Sequence, residues 1–258
     1  HVGDLALGRV PAALGFTPRT GYRRVTPSLS RTLRPSAPPR IRTIALGADA
    51  TFQMDTDDNR LLDREVDLTV LQVNTHTLDS FQVHVFPTFE RLRQDFQISP
   101  GVTLPANTDY SWNRYRFQVS MAQRRMVSFS PTLEVGSFYN GTRRRVAFDL
   151  NLRLRPGLIV YTSGEWNQVH LDQGSFETRV YRFVPELQFS PWIAWVNNIQ
   201  FDTQSEVLGW QSRFRWILQP GSDLYIVYTH NWLDDPLDRR MRTLDRRVAS
   251  KVLYTHRF

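Results

Sequence analysis

The chain has 258 residues, 32 Lys+Arg against 25 Asp+Glu, 41 % hydrophobic residues and no cysteine. That composition excludes a disordered chain, a disulfide scaffold, a thiolate metal site and a thiol nucleophile. The formal net charge of +7 does not mark a nucleic-acid binder, because the arginines are spread along the chain rather than gathered in one patch, and Lys251 is the only lysine.

No stretch approaches the ~18 apolar residues of a membrane helix. The chain begins with His1 rather than Met, as expected of a trimmed product or a piece of a longer protein. Residues 21–33 read as a strand, followed by a Pro-rich link over 34–40. Twelve more strands are predicted at 41–54, 60–73, 79–92, 109–121, 126–139, 143–154, 158–169, 176–189, 192–202, 207–218, 223–232 and 244–258. The signal is strict alternation. Tyr115, Phe117, Val119 and Met121 alternate with Arg114, Arg116, Gln118 and Ser120. Val146, Phe148, Leu150 and Leu152 alternate with Ala147, Asp149, Asn151 and Arg153. Leu208, Trp210, Phe214 and Trp216 face away from Gln211, Arg213 and Arg215. Asn140-Gly141, Pro156-Gly157 and Pro220-Gly221 read as tight turns.

These strands recur about every 18 residues, longer than the 8–12-residue turn spacing of soluble sandwiches. The spacing suits an antiparallel outer-membrane β-barrel, whose strands cross a bilayer and emerge. The expected fold is therefore all-β, a transmembrane barrel with about 12–13 strands in this chain. Counted back from the C-terminus, links at 233–243, 170–175 and 93–108 fall outside, and the Pro-Gly turns fall in the periplasm. Parity then puts residues 1–20 on the extracellular side as an incoming segment, with 21–258 as the barrel region. Bacterial barrels have an even strand count, so the chain is expected to be part of a larger barrel. The last strand ends in Tyr254 and Phe258 on an apolar face, like the signal read by the outer-membrane assembly machinery.

Several stretches carry a resemblance. They are Gly15-Phe16-Thr17-Pro18-Arg19-Thr20-Gly21-Tyr22-Arg23-Arg24, Leu61-Leu62-Asp63-Arg64-Glu65-Val66-Asp67-Leu68, Ser205-Glu206-Val207-Leu208-Gly209-Trp210-Gln211-Ser212-Arg213, Arg215-Trp216-Ile217-Leu218-Gln219-Pro220-Gly221-Ser222-Asp223-Leu224-Tyr225 and Asp245-Arg246-Arg247. Together they resemble an uncharacterised family of bacterial outer-membrane barrels whose members carry an N-terminal domain like the family-9 carbohydrate-binding modules. The resemblance spans roughly residues 13–258 and implies the C-terminal barrel region, with a link to carbohydrate through the attached module.

Two faces carry the candidate functional residues. Arg114, Arg116, Arg153, Arg182, Arg213 and Arg215 are expected to line the lumen. Glu134, Asp149, Glu186 and Glu90 are expected to pair with them and brace the wall; a cationic lumen selecting anions or holding sugar hydroxyls is the functional reading of the same face. Phe117, Phe129, Tyr181, Phe183, Phe189, Trp210, Phe214 and Trp216 are expected to face lipid. Pro87, Pro131 and Pro185 lie on that apolar face inside strands, where bulges are expected.

His84 shares a face with Gln82, Thr88 and Glu90, which allows a histidine–carboxylate pair. Asp55, Asp57 and Asn59 start like a calcium loop, but Arg60 and Val66 stand where its Gly and Glu belong. An ordinary acidic loop is the reading kept. Residues 93–108 are expected to be the principal outside loop. Phe96, Ile98, Val102 and Leu104 need cover, either as a plug in the lumen or as an outward contact surface.

The expected function is a bacterial outer-membrane channel or uptake barrel for small polar solutes, saccharides among them. The alternatives are a structural barrel anchoring a surface or periplasmic complex, and a barrel-embedded hydrolase. The expected partners are the lipid bilayer with its lipopolysaccharide, the assembly machinery and a surface or periplasmic protein. No cofactor, metal, catalytic residue or nucleic acid is expected.

Overall fold

A computed structural model describes residues 21–235 and 240–255. The incoming segment expected at 1–20 and the terminal Phe258 lie outside the described residues. The described elements are strands: β1 (Tyr22–Val25), β2 (Ser28–Leu33), β3 (Ile41–Asp55), β4 (Leu61–Thr75), β5 (Ser80–Leu92), β6 (Phe96–Ser99), β7 (Val102–Leu104), β8 (Thr108–Ser120), β9 (Val127–Phe138), β10 (Gly141–Arg155), β11 (Leu158–Leu171), β12 (Gly174–Ser190), β13 (Ile193–Asp202), β14 (Val207–Gln219), β15 (Ser222–Asp235) and β16 (Arg240–Leu253).

Fourteen of them form one antiparallel sheet in the order β1-β3-β4-β5-β8 and then consecutively to β16, with β2 also on β3; β6 and β7 make a separate hairpin. Each of the twelve long predicted strands is present, and most ends fall within two residues of the expected positions. The alternation decides this, because a strand of period two buries one set of side chains only in a sheet.

The predicted strand 21–33 is split at Thr26-Pro27 into β1 and β2. Both halves pair with β3 in one unbroken register: Tyr22 lies opposite Asp55 and Leu33 opposite Ile44. Pro27 has no N–H to give, but its carbonyl accepts from Ala50 N at 3.0 Å.

The same device replaces the bulges expected at the internal prolines. Against β13, Phe183 pairs with Ile199 and Glu186 with Val196, so the ladder skips Val184 and Pro185 without slipping. Against β4, the ladder skips Phe86 and Pro87 in the same way, while β5 and β8 stay in continuous register past Pro87. Met121 N still reaches Phe129 O at 3.4 Å beyond Pro131. One missing donor removes one ladder bond, and the flanking pairs hold the register.

The links differ from expectation. The outside loop expected at 170–175 is a two-residue turn, Asp172-Gln173. Most of the loop expected at 233–243 is strand, with β15 reaching Asp235 and β16 starting at Arg240. The Asn140-Gly141 turn shifts by one residue. The turn is Tyr139-Asn140, with Tyr139 at φ +51°, and Gly141 opens β10. Gly157 (φ +80°) and Gly221 (φ +87°) sit at the two Pro-Gly turns, as expected.

The chain divides into two compact units. The first comprises residues 21–120, 132–145 and 168–177 of the described chain, the second 121–131, 146–167 and 178–255. The first holds a buried apolar cluster of Leu92, Val102, Leu104, Tyr110, Trp112, Val169 and Leu171, with Ile98, Phe138, Tyr139 and Phe176 packed against it.

Candidate functional site

The polar face of the first unit is built on β5, β8 and β9. Arg114 and Arg116 alternate along β8 and lie opposite Gly136 and Glu134 of β9. Glu134 is 1 % exposed, which a carboxylate tolerates only with its charge matched. Arg116 Nε and Nη2 donate to Glu134 Oε2 at 3.0 and 2.9 Å, and Arg114 Nη1 donates to Oε1 at 3.0 Å. Arg143 Nη1 is 3.7 Å from Oε1. The expected pairing of Arg114 and Arg116 with Glu134 is therefore present. Phe86 lies beneath, 4.4 Å from the Arg116 guanidinium and 5.4 Å from that of Arg114, a cation–π arrangement.

His84 continues this network, with a partner other than the one expected. Its Nδ1 lies 2.6 Å from Asp67 Oδ1 on the neighbouring strand, and its Nε2 is 3.2 Å from Gln82 Oε1. The His84 ring stacks on Phe86 with centroids 5.9 Å apart. Glu90 instead accepts from Tyr139 OH at 2.7 Å. Asp67, Phe86 and Tyr139 carry no site signal in the sequence, and Arg143, which reads there as part of a solvated Arg143-Arg144-Arg145 face, is instead only 19 % exposed beside Glu134. Parity along β5 could have flagged Phe86, and the triplet Arg143-Arg144-Arg145 puts successive members on opposite faces. Asp67 needed the β4–β5 register.

Towards the β6–β7 hairpin this face turns apolar. Tyr110 and Trp112 share the parity of Arg114 and Arg116, and Leu92 shares that of His84. The hairpin lays Leu104 (0 % exposed) and Val102 in the cluster with these residues, while Phe96 remains exposed. The four apolar side chains expected to need cover in the 93–108 link thus find most of it within the first unit. Arg93, just before the hairpin, is ion-paired with buried Asp55. Asp55, Asp58 and Asn59 spend oxygens on hydrogen bonds from Asp57 N, Arg60 N and Arg23 Nη1.

In the second unit the expected lumen residues are dispersed. Asp149 accepts from Tyr161 OH rather than from an arginine. Arg153 Nε donates to the Gln123 carbonyl at 2.9 Å. Arg182 donates to Asn198 Oδ1 at 2.8 Å and lies 5.9 Å from the Tyr161 ring. Arg215 pairs with Asp223 at 3.1 Å. Glu186 and Arg213 are exposed. A groove of about 310 Å³ opens on the same face, with Asn198, Gln200, Gln211, Thr229 and Asn231 in its lining.

The opposite face carries the predicted aromatics. Phe117 is 41 % exposed and Phe189 63 %; Phe129, Tyr181, Phe183 and Trp216 are exposed too, as is Tyr254. Trp210 and Phe214 are half-buried. Trp210 stacks on Trp232, meets Tyr228 edge-on and donates from Nε1 to Asn197 Oδ1 at 3.1 Å. Trp195 Nε1 donates to Ser212 Oγ at 2.7 Å. The indole N–H groups of Trp195 and Trp210 thus each have a side-chain acceptor on this face.

No protein-family model matches the chain, and no curated protein matches it.

Proposed function

We propose that this chain is the wall of a bacterial outer-membrane β-barrel that lets small polar solutes pass along its charged face. One observation carries the reading. In the first unit the carboxylate of Glu134 is sealed at 1 % exposure, while large apolar side chains such as Phe117 stand 41 % exposed on the other face. A water-soluble sheet does the reverse, and lipid in place of water removes the conflict. The strand lengths of β3, β4, β10 and β12, 15, 15, 15 and 17 residues, exceed the ~9–11 residues that cross a bilayer core. β2 and β16 are exposed along their whole lengths. Backbone groups inside a membrane must be paired, so the reading includes closure through these edges or through further strands.

The resemblance to a family of outer-membrane barrels supports the same reading and extends it to saccharides as solutes. A structural barrel that anchors a partner is the second reading, and the β6–β7 hairpin favours it: Leu104 packs on the polar face, as a stopper would. A hydrolase finds less support, since both ring nitrogens of His84 are engaged, by Asp67 and Gln82.

The test is expression with extraction into detergent. Heat-modifiable migration and ion conductance in planar bilayers are expected of the channel. A folded but silent barrel that retains a partner supports the anchoring reading, and a soluble monomer without detergent overturns both.

A further inference from the structure

On the polar face of the second unit, β13, β14 and β15 place a small array of uncharged hydrogen-bonding side chains side by side. Asn198 lies opposite Gln211, and Gln211 opposite Thr229. One step along the strands, Gln200 lies opposite Gly209 and Gly209 opposite Asn231. Neighbouring strands are ~4.8 Å apart and alternate residues on one strand ~7 Å apart, so the array covers about 10 by 7 Å.

Its amides are held in opposite senses. Asn198 Oδ1 is taken by Arg182 Nε at 2.8 Å, which leaves the Asn198 NH₂ to donate outward. The Asn231 NH₂ is taken by both oxygens of Asp245 at 3.1 Å, which leaves Oδ1 to accept. A charged partner behind each amide polarises it and strengthens the bond it can still form. Between them Gly209 makes the floor: a Cβ there would stand 3.1 Å from Asn231 Oδ1, so the missing side chain leaves the groove open. Its volume of about 310 Å³ is at the small end of ligand sites. Arg247 lies opposite Thr229 on β16, and Asp202 is the one charged residue in the groove's lining. Asp202 is occupied by the turn it closes, accepting from Gln204 N at 2.8 Å.

We infer that this groove binds an uncharged polyhydroxylated ligand, a saccharide of one or two rings. Each sugar hydroxyl both donates and accepts, which matches a donor, an acceptor and two unconstrained glutamines on one surface. An anion would instead need clustered cations, and the groove's lining contains none. The inference rests on the reading of this face as solute-bearing and deepens it by assigning the saccharide a binding site and the side chains that hold it.

The experiment is titration calorimetry on the full chain in detergent, with sucrose, maltose and cellobiose up to tens of millimolar, and with sodium phosphate as the anionic probe. At least one disaccharide is expected to bind in the millimolar range. Asn198→Asp keeps the Arg182 contact but turns the outward donor into an acceptor, and Gly209→Ala crowds Asn231; each is expected to weaken binding tenfold or more. Both variants are expected to retain the wild-type heat-modifiable shift, which separates a lost site from a lost barrel. The inference is overturned if no disaccharide binds a protein that still shows that shift, if phosphate binds in preference, or if both variants bind like the wild type.

Discussion

Arg116 forks onto Glu134: its Nε and Nη2 both reach the same oxygen of the buried carboxylate, at 3.0 and 2.9 Å. The second oxygen takes Arg114, with Arg143 at its edge. From β9, Glu134 thus holds three guanidiniums in one arrangement, two from β8 and one from β10. Lysine could not make the fork, which gives a physical use for a chain with 32 Lys+Arg of which one is lysine.

Replacing Glu134 with Gln keeps the shape and removes the charge that the arginines share. Breaking a buried pair from one side costs about 3–5 kcal/mol. The variant is expected to lose its heat-modifiable form in detergent at a clearly lower temperature than the wild type. An unchanged transition would mean that the arginines are solvated and do not depend on Glu134.

Phe117 and Gln118 are neighbours on β8 with opposite facing, so the proposed function puts the first in lipid and the second in water. Phe117→Arg is expected to cost about 2–4 kcal/mol of membrane-folded stability, while Gln118→Arg stays near neutral. Urea unfolding from lipid vesicles measures both. Equal effects, or the reverse order, would show that the apolar face is not in lipid.

Leu104 fastens the hairpin to the polar face. Leu104→Ala is expected to lose about 2–5 kcal/mol of local stability through the cavity it leaves. Limited proteolysis should then cut within 93–108 faster than in the wild type. Deleting residues 96–105 should raise single-channel conductance if the hairpin obstructs the path. If conductance is unchanged and binding of a partner is lost, the hairpin is a contact surface instead.

Gly141 leaves no room for a side chain: an added Cβ would run into the His170 carbonyl on β11. Gly141→Ala is expected to break the first pairings of β10 and β11 and to destabilise the Tyr139-Asn140 turn. Amide hydrogen exchange should show faster exchange at the start of β10, with the rest of that strand protected. Wild-type protection throughout would contradict the close approach.

Strand positions and the two faces were legible in the residues themselves. Phe117 alternating with Gln118, or Phe148 with Asp149, is a local property, because the pleat turns successive side chains to opposite sides whatever the strand pairs with. The Pro-Gly turns at Gly157 and Gly221 were legible for the same reason, since a positive φ is a demand of two or three residues. The partners were not. That His84 meets Asp67 rather than Glu90 depends on the register of β4 against β5. That Asp149 takes Tyr161 while Glu134 takes three arginines depends on which strands adjoin. Tyr139 accepts a φ of +51° because Trp112 and Phe138 pack on it and its hydroxyl reaches Glu90, and none of these neighbours is encoded within the turn. The prolines make the same point from the other side. Pro27, Pro87 and Pro185 announce a lost ladder bond, but whether a strand answers with a bulge or a gap is decided by the flanking pairs. Alternation is written residue by residue, whereas register is a property of two strands together, and only the tertiary structure supplies the second strand.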